Sequence, residues 1–194
     1  MNPESVKTLS VKTWTVYTGI GWLIGVALVL LIGIPLDSLK IVGQAMIGIG
    51  MGVGIGLMQW LVLRKHIKIN SNWFWFSLLG LGIPYILFDV LSAYTGLKTE
   101  YYLPIATALG GLLSGYLQYR FILSKISGNA KNWILYSCVG WLLAHLVTVL
   151  LFITNNSIPK NIALPLAFVY ILIGGPILGI ITGHSMISIL KNRN

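Results

Sequence analysis

The sequence predicts an all-α integral membrane protein whose six transmembrane helices form three tandem helical hairpins. Composition is the first reason: 56% of the 194 residues are hydrophobic and only 9% are charged. A soluble domain carries about a quarter charged residues, because its surface faces water. The second reason is a recurring pattern. Trp14, Trp73 and Trp133 each open an apolar run, at spacings of 59 and 60 residues, about the length of two membrane crossings with their loops.

Six apolar windows are each long enough to cross a hydrocarbon core of about 30 Å, which takes about 20 helical residues. Helices are expected because the lipid interior offers no hydrogen-bond partners and the windows lack the alternation of barrel strands. Only the run from Gly48 to Gly56 alternates, and it lies inside a long apolar window, so we expect a helix there as well. The windows cover residues 14–35, 41–63, 73–95, 102–123, 133–154 and 163–190.

The three tryptophans mark an internal repeat within one membrane domain, residues 1–194. Each is followed by a hydroxyl residue four positions on and by a glycine seven positions on. The repeats cover approximately residues 12–70, 71–130 and 131–194. Because each repeat contains two crossings, all three share one orientation. This arrangement predicts a pseudo-threefold axis along the membrane normal, as in transporters with parallel repeats.

The net charge of +9 is distributed unevenly between the two sides of the predicted bundle. Only Lys40, Lys98 and Lys160 fall in the alternate loops, and the excess of Lys and Arg in the other loops predicts that both termini are cytoplasmic. We expect the cytoplasmic (inner) membrane of a bacterium, with anionic headgroups as contacts and no nucleic-acid partner. The ten basic residues of the cytoplasmic side are Lys7, Lys12, Arg64, Lys65, Lys68, Arg120, Lys125, Lys131, Lys191 and Arg193.

The even-numbered helices carry glycines four residues apart, a glycine-zipper spacing that lets another helix approach closely. Gln59 and Gln118 follow the last glycine by three residues and share its face. Two alignments stay open in the third hairpin, because either Met186 or Thr182 can occupy the glutamine position. The predicted packing glycines are Gly48, Gly52, Gly56, Gly111, Gly115, Gly175, Gly179 and Gly183.

The odd-numbered helices carry the candidate binding residues on one stripe. Relative to their tryptophans, Asp89 and His145 lie one helical turn apart on the same face. An ionisable residue within a membrane span is by default a functional candidate. If the stripe faces a common axis, it lines an aromatic pocket in the outer half of the bundle. The odd-helix stripe consists of Thr18, Ser77, Ser137, Trp22, Trp141, Tyr85, His145 and Asp89.

Two functions remain open at this stage. The stripe favours a protein that binds or transports a small or lipophilic molecule. Alternatively, the glycine faces dock a membrane partner or a second copy of the chain, or close the bundle itself, as in a structural or regulatory subunit. Purely structural roles for His145 and Asp89 also remain open, through a hydrogen bond to a hydroxyl or a neighbouring helix. Enzymatic activity has little support, since no nucleophile–base pair, metal-binding spacing or cofactor motif occurs and Cys138 is the sole cysteine.

Overall fold

The structure, a computed structural model, describes residues 9–33, 35–36, 44–97 and 99–193. These residues form six long helices and no strand. Positions 34 and 41–43 of the predicted windows, and Lys7, Lys40 and Lys98 of the charge pattern, lie outside the described residues. The helices are α1 (Val11–Leu28, extended by a π-helical segment, Val29–Gly33), α2 (Ala45–Leu63), α3 (Asn72–Thr95), α4 (Thr99–Phe121), α5 (Asn132–Ser157) and α6 (Lys160–Lys191).

The helical prediction is confirmed for all six windows, including the glycine-rich run that alternates like a strand. Local signals explain two of the boundaries. The Ser10 side chain accepts a hydrogen bond from the Thr13 N–H at 3.0 Å, which caps the start of α1. Gly96 ends α3 with a φ of 71°, a left-handed conformation that glycine adopts without steric cost.

The six helices form a closed ring. Each helix packs against the next one along the chain, and α6 packs against α1. Neighbours run antiparallel: on α2, Gly48 faces Leu81 of α3, whereas Gly56, two turns later, faces Ser77, one turn earlier. The short connections therefore join adjacent helices, and the last helix completes the ring beside the first.

Glycines allow this close packing. A Cβ atom at Gly52 would come within 2.8 Å of the Leu78 Cα, so α2 and α3 touch through their backbones. The rows on α4 and α6 do the same against α5 and α1, so each row packs on the odd-numbered helix that follows it around the ring. All the predicted packing glycines are thus covered within the chain.

One end of the ring is closed by a cluster of three tryptophans. Trp14, Trp73 and Trp133 are almost completely buried and meet pairwise, with ring centroids 5.5 to 6.3 Å apart. Leu63 and Leu123 pack on the same cluster. Because these tryptophans lie on α1, α3 and α5, the odd-numbered helices turn this face towards the interior.

The outer surface of the ring is apolar, and the described Lys and Arg residues, except Lys160 at the start of α6, lie towards the tryptophan end. Large exposed side chains include Leu31, Leu87 and Phe168, which are 75%, 62% and 62% exposed. Arg64 ends α2 directly after Leu63 of the tryptophan cluster, and Arg120 lies in the last turn of α4. Within the described residues, four helical segments are long and apolar enough to span a membrane, which indicates a membrane protein: Val11–Gly33, Ala45–Leu63, Asn72–Thr95 and Lys160–Lys191.

Candidate functional site

A cavity of about 240 Å³ lies inside the ring, between the helices. Every helix contributes to its wall, and among its described lining residues none is an Asp, Glu, Lys or Arg. Its volume is below the range of about 300–1,000 Å³ typical of drug-sized ligands, so it suits a small molecule rather than a large cofactor. The lining residues are Trp22, Val26, Val29, Leu30, Ile47, Gly48, Met51, Leu81, Tyr85, Thr107, Trp141, His145, Val147, Tyr170 and Ile171.

Two tryptophans form the aromatic part of the wall. The rings of Trp22 and Trp141 lie 6.2 Å apart at 32°, and the Trp22 indole N–H donates to the Ile171 carbonyl at 2.8 Å. Glycines on the neighbouring helices leave the space that both tryptophan side chains occupy. A Cβ at Gly175 would lie 2.6 Å from the Trp22 Cβ, and one at Gly111 would lie 2.9 Å from the Trp141 Cβ. The glycine rows therefore position the cavity wall as well as the helices.

The polar part of the wall is a cluster of three side chains from three helices. The Tyr85 hydroxyl lies 2.6 Å from Thr107 Oγ1, and His145 Nδ1 lies 3.4 Å from the same oxygen. The Thr107 hydroxyl also donates to the Leu103 carbonyl at 2.9 Å. The sequence interpretation included Tyr85 and His145 but missed Thr107. A usable signal was present, because Thr107 precedes Gly111 by four residues and so shares the face of its glycine row.

Asp89 is placed away from the cavity lining. Its Oδ2 accepts the Ala45 N–H at 2.6 Å, and its Oδ1 accepts the Tyr102 hydroxyl at 2.9 Å. Ala45 is the first residue of α2, where the backbone N–H groups have no partner within their own helix. A carboxylate at a helix N-terminus is stabilised by the helix dipole. Asp89 therefore joins α3 to the start of α2 and to α4.

Beneath the cavity, a layer of buried hydrogen bonds connects the helices. Gln118 of α4 accepts the Trp133 indole N–H at 2.8 Å and donates to the Ser77 hydroxyl at 2.9 Å. Gln118 thereby links α5, the helix that follows α4, to α3, the helix that precedes it. The two predicted packing glutamines are thus polar bridges as well as packing residues.

Gln59 of α2 makes the same bridge with longer bonds. Its Oε1 accepts the Trp73 indole N–H at 3.4 Å, and its Nε2 donates to Thr18 at 3.3 Å. Thr18 and Ser77, predicted as pocket residues, are therefore buried in this layer and do not line the cavity. Ser137 lies at the same level, beside a void of only about 10 Å³.

On α6, Thr182 makes the bond to a tryptophan that the glutamines make on α2 and α4. Its hydroxyl accepts the Trp14 indole N–H at 2.9 Å and donates to the Leu178 carbonyl at 2.7 Å. Met186, the other candidate, is fully buried one turn further on, within the tryptophan cluster. Of the two residues considered for the glutamine position, Thr182 is therefore the one that bonds a tryptophan indole.

No protein-family model, no curated protein and no solved structure matches the chain. Among the residues that the structure describes, no three His, Cys, Asp or Glu side chains are grouped so that they could hold a metal ion. The site is thus defined by its own geometry: a small aromatic cavity with one polar cluster, closed at the tryptophan end.

Proposed function

We propose that this chain is an integral membrane protein that binds a small, uncharged, lipophilic molecule in the cavity between its six helices. The observation that carries the proposal is a cavity of about 240 Å³ walled by two tryptophans, Tyr85 and His145. Apolar walls with a few placed polar groups are typical of small-molecule sites. A charged ligand is disfavoured, because a buried charge without a partner costs far more free energy than such a site returns.

Six membrane spans are proposed. Four helices of the ring are apolar enough to cross a membrane, and α4 and α5 lie in the same ring between them. They contain 23 and 26 residues, or about 35 and 39 Å at 1.5 Å per residue, and the hydrocarbon core is about 30 Å thick. Both helices expose apolar side chains. These include Ile105, Leu109, Leu112, Leu135, Leu146 and Leu150.

Three tandem hairpins about a pseudo-threefold axis along the membrane normal are part of the proposal. Support comes from aligning Thr182 with Gln59 and Gln118, because residues in equivalent positions then fall at the same level of the ring. Three equivalent sets line the cavity: Trp22, Leu81 and Trp141; Val26, Tyr85 and His145; Gly48, Thr107 and Ile171. In such a repeat, each of the three hairpins contributes one odd-numbered and one even-numbered helix to a shared site.

The proposed orientation places the basic end, with both termini, in the cytoplasm and the cavity in the outer half of a bacterial inner membrane. It rests on the excess of Lys and Arg at the tryptophan end. Anionic headgroups would contact that end, and each basic residue near such a surface contributes about 1 kcal/mol of attraction.

Binding is favoured over conduction because the path along the axis is blocked. The hydrogen-bonded layer and the three buried tryptophans lie between the cavity and the basic end. A transport step would have to separate these rings. The alternative function is a structural or regulatory subunit, and its docking form is disfavoured because α1, α3 and α5 already cover the glycine faces.

Binding of naphthalene, a neutral apolar probe, tests the proposal. The measurement is the shift in unfolding temperature and the tryptophan fluorescence of the detergent-purified protein. Val26 lines the cavity and Val16, on the same helix, is 50% exposed on the outside. We expect naphthalene to stabilise the wild type and the Val16→Phe variant, and to lose its effect in Val26→Phe, in which the added ring fills the cavity.

Circular dichroism and size-exclusion chromatography establish that both variants are folded. Equal responses of the two phenylalanine variants would mean that the probe acts through the micelle or the outer surface. That result would overturn the assignment of the cavity as a binding site.

A further inference from the structure

We infer that the ligand carries a hydroxyl or N–H group that donates a hydrogen bond to Nε2 of His145. The inference rests on the proposed function, because it specifies what the same cavity recognises. It follows from counting the protons in the polar cluster formed by Tyr85, Thr107 and His145.

Thr107 has a single hydroxyl proton, and its oxygen has three partners. All three contacts can be hydrogen bonds at once only if this proton goes to the Leu103 carbonyl, 2.9 Å away, because a carbonyl oxygen can only accept. Tyr85 and His145 Nδ1 both approach the same oxygen, at 2.6 and 3.4 Å, and that oxygen can only accept from them. A hydroxyl oxygen has two lone pairs and therefore accepts both bonds. Tyr85 is thus the donor in its bond to Thr107, and His145 carries a proton on Nδ1.

A neutral imidazole with its proton on Nδ1 has a lone pair on Nε2. In the part of the chain that the structure describes, no protein donor lies within hydrogen-bond distance of that nitrogen, and His145 lines the cavity. An acceptor without a donor in an apolar site is unfavourable. A ligand that supplies the donor removes this penalty, whereas a purely apolar ligand leaves it.

The donor belongs to a neutral group rather than to an ammonium ion. None of the described residues that line the cavity carries a carboxylate. The nearest candidate along the stripe, Asp89, is engaged by the Ala45 N–H and the Tyr102 hydroxyl. The recognised class is therefore an uncharged lipophile with a hydroxyl or amide N–H, such as a phenol or a small alcohol.

Three probes of the same shape test the inference: naphthalene, 2-methoxynaphthalene and 2-naphthol. The Val26→Phe variant corrects for partitioning of each probe into the micelle. We expect 2-naphthol to bind the wild type about threefold to tenfold more tightly than 2-methoxynaphthalene, the contribution of one hydrogen bond. In His145→Phe the two affinities should become equal while naphthalene still binds.

Two further variants separate His145 from its neighbours. In Tyr85→Phe the preference for 2-naphthol should persist, because the Tyr85 hydroxyl donates to Thr107 and is not the proposed acceptor. In Thr107→Val the preference should shrink, since nothing then holds the proton on Nδ1. Loss of the preference in Tyr85→Phe alone would assign the acceptor to Tyr85 and overturn the inference.

The ring proton of His145 can be observed without any ligand. In ¹⁵N-histidine spectra, assigned by comparison with His145→Phe, we expect a protonated Nδ1 and an unprotonated Nε2. A protonated Nε2, or equal binding of the three probes, would overturn the inference while leaving the proposed function intact. Failure of naphthalene itself to bind would overturn the proposed function, and the spectrum would still report the state of the imidazole.

Discussion

The indole N–H of Trp14, in the first helix, donates to the hydroxyl of Thr182, in the last helix, across 2.9 Å and 168 positions of sequence. The bond has the same place in the ring as those from Trp73 to Gln59 and from Trp133 to Gln118. It closes the hydrogen-bonded layer that underlies the cavity. The other two positions carry a glutamine, whose long amide side chain also reaches the preceding odd-numbered helix. Thr182 has a short hydroxyl side chain, which bonds the indole and the Leu178 carbonyl of its own helix.

Thr182→Val should lower the free energy of unfolding by about 1–3 kcal/mol, because the buried Trp14 N–H loses its acceptor while the side chain keeps its shape. Thr182→Ser, which retains the hydroxyl, is the control and should lose less. The measurement is unfolding by SDS in mixed micelles. A valine variant as stable as the wild type would show that this bond does not stabilise the closed ring.

Gln118→Met should destabilise the protein more than Gln59→Met. Both changes replace a buried, bridging glutamine by methionine, a side chain of similar length. The hydrogen bonds of Gln118 are 2.8 and 2.9 Å long, whereas those of Gln59 are 3.4 and 3.3 Å long. Shorter, better-formed bonds contribute more, and each orphaned buried group costs about 1–3 kcal/mol. The same SDS titration measures both variants. Equal losses would show that the two bridges are energetically equivalent in spite of their geometry.

Gly54→Ala and Gly82→Ala should change stability in opposite directions. A Cβ at Gly54 would collide with the backbone of Gly21 and lie 2.9 Å from the Gly25 Cα, so α1 and α2 would have to separate. Overpacking of this kind costs about 1–3 kcal/mol. At Gly82 the nearest atom is the Ile49 Cγ1 at 3.5 Å, an ordinary contact, and alanine gains up to about 1 kcal/mol of helix propensity.

Thermal unfolding of the two alanine variants checks these signs. A stable Gly54→Ala protein would mean that α1 and α2 do not approach as closely as the structure places them. Since both changes add one methyl group within a helix, size alone cannot explain a difference between them.

Asp89→Asn should reduce stability by about 1 kcal/mol while leaving naphthalene affinity unchanged. The carboxylate accepts from the start of α2 and from Tyr102. Asparagine removes the charge that interacts with the helix N-terminus and turns one acceptor into a donor. Unfolding titrations and probe binding are measured on the same preparation. A large loss of probe binding in a folded variant would show that Asp89 is one of the ligand-binding residues.

His145 and Asp89 differ in how well their positions could be predicted from the sequence. Both residues belong to one predicted stripe, yet only His145 lines the cavity, and Asp89 caps α2. Periodicity places a residue on a helix face, but it does not tell where along that face the neighbouring helix ends. Thr107 was missed for a related reason, since the pocket was assigned to odd-numbered helices only, although α2, α4 and α6 supply residues between them.

The amino-acid sequence alone was sufficient to predict the six helices, their approximate limits and the basic end, whereas the inward face of the odd-numbered helices stayed conditional. These properties follow from hydropathy, charge and periodicity along one chain. The contacts between helices in the folded chain show that Thr182 rather than Met186 pairs with Trp14, and that Thr107 lies beside both Tyr85 and His145. Such pairings depend on the register between helices, which is set by glycine contacts and hydrogen bonds among residues far apart in sequence.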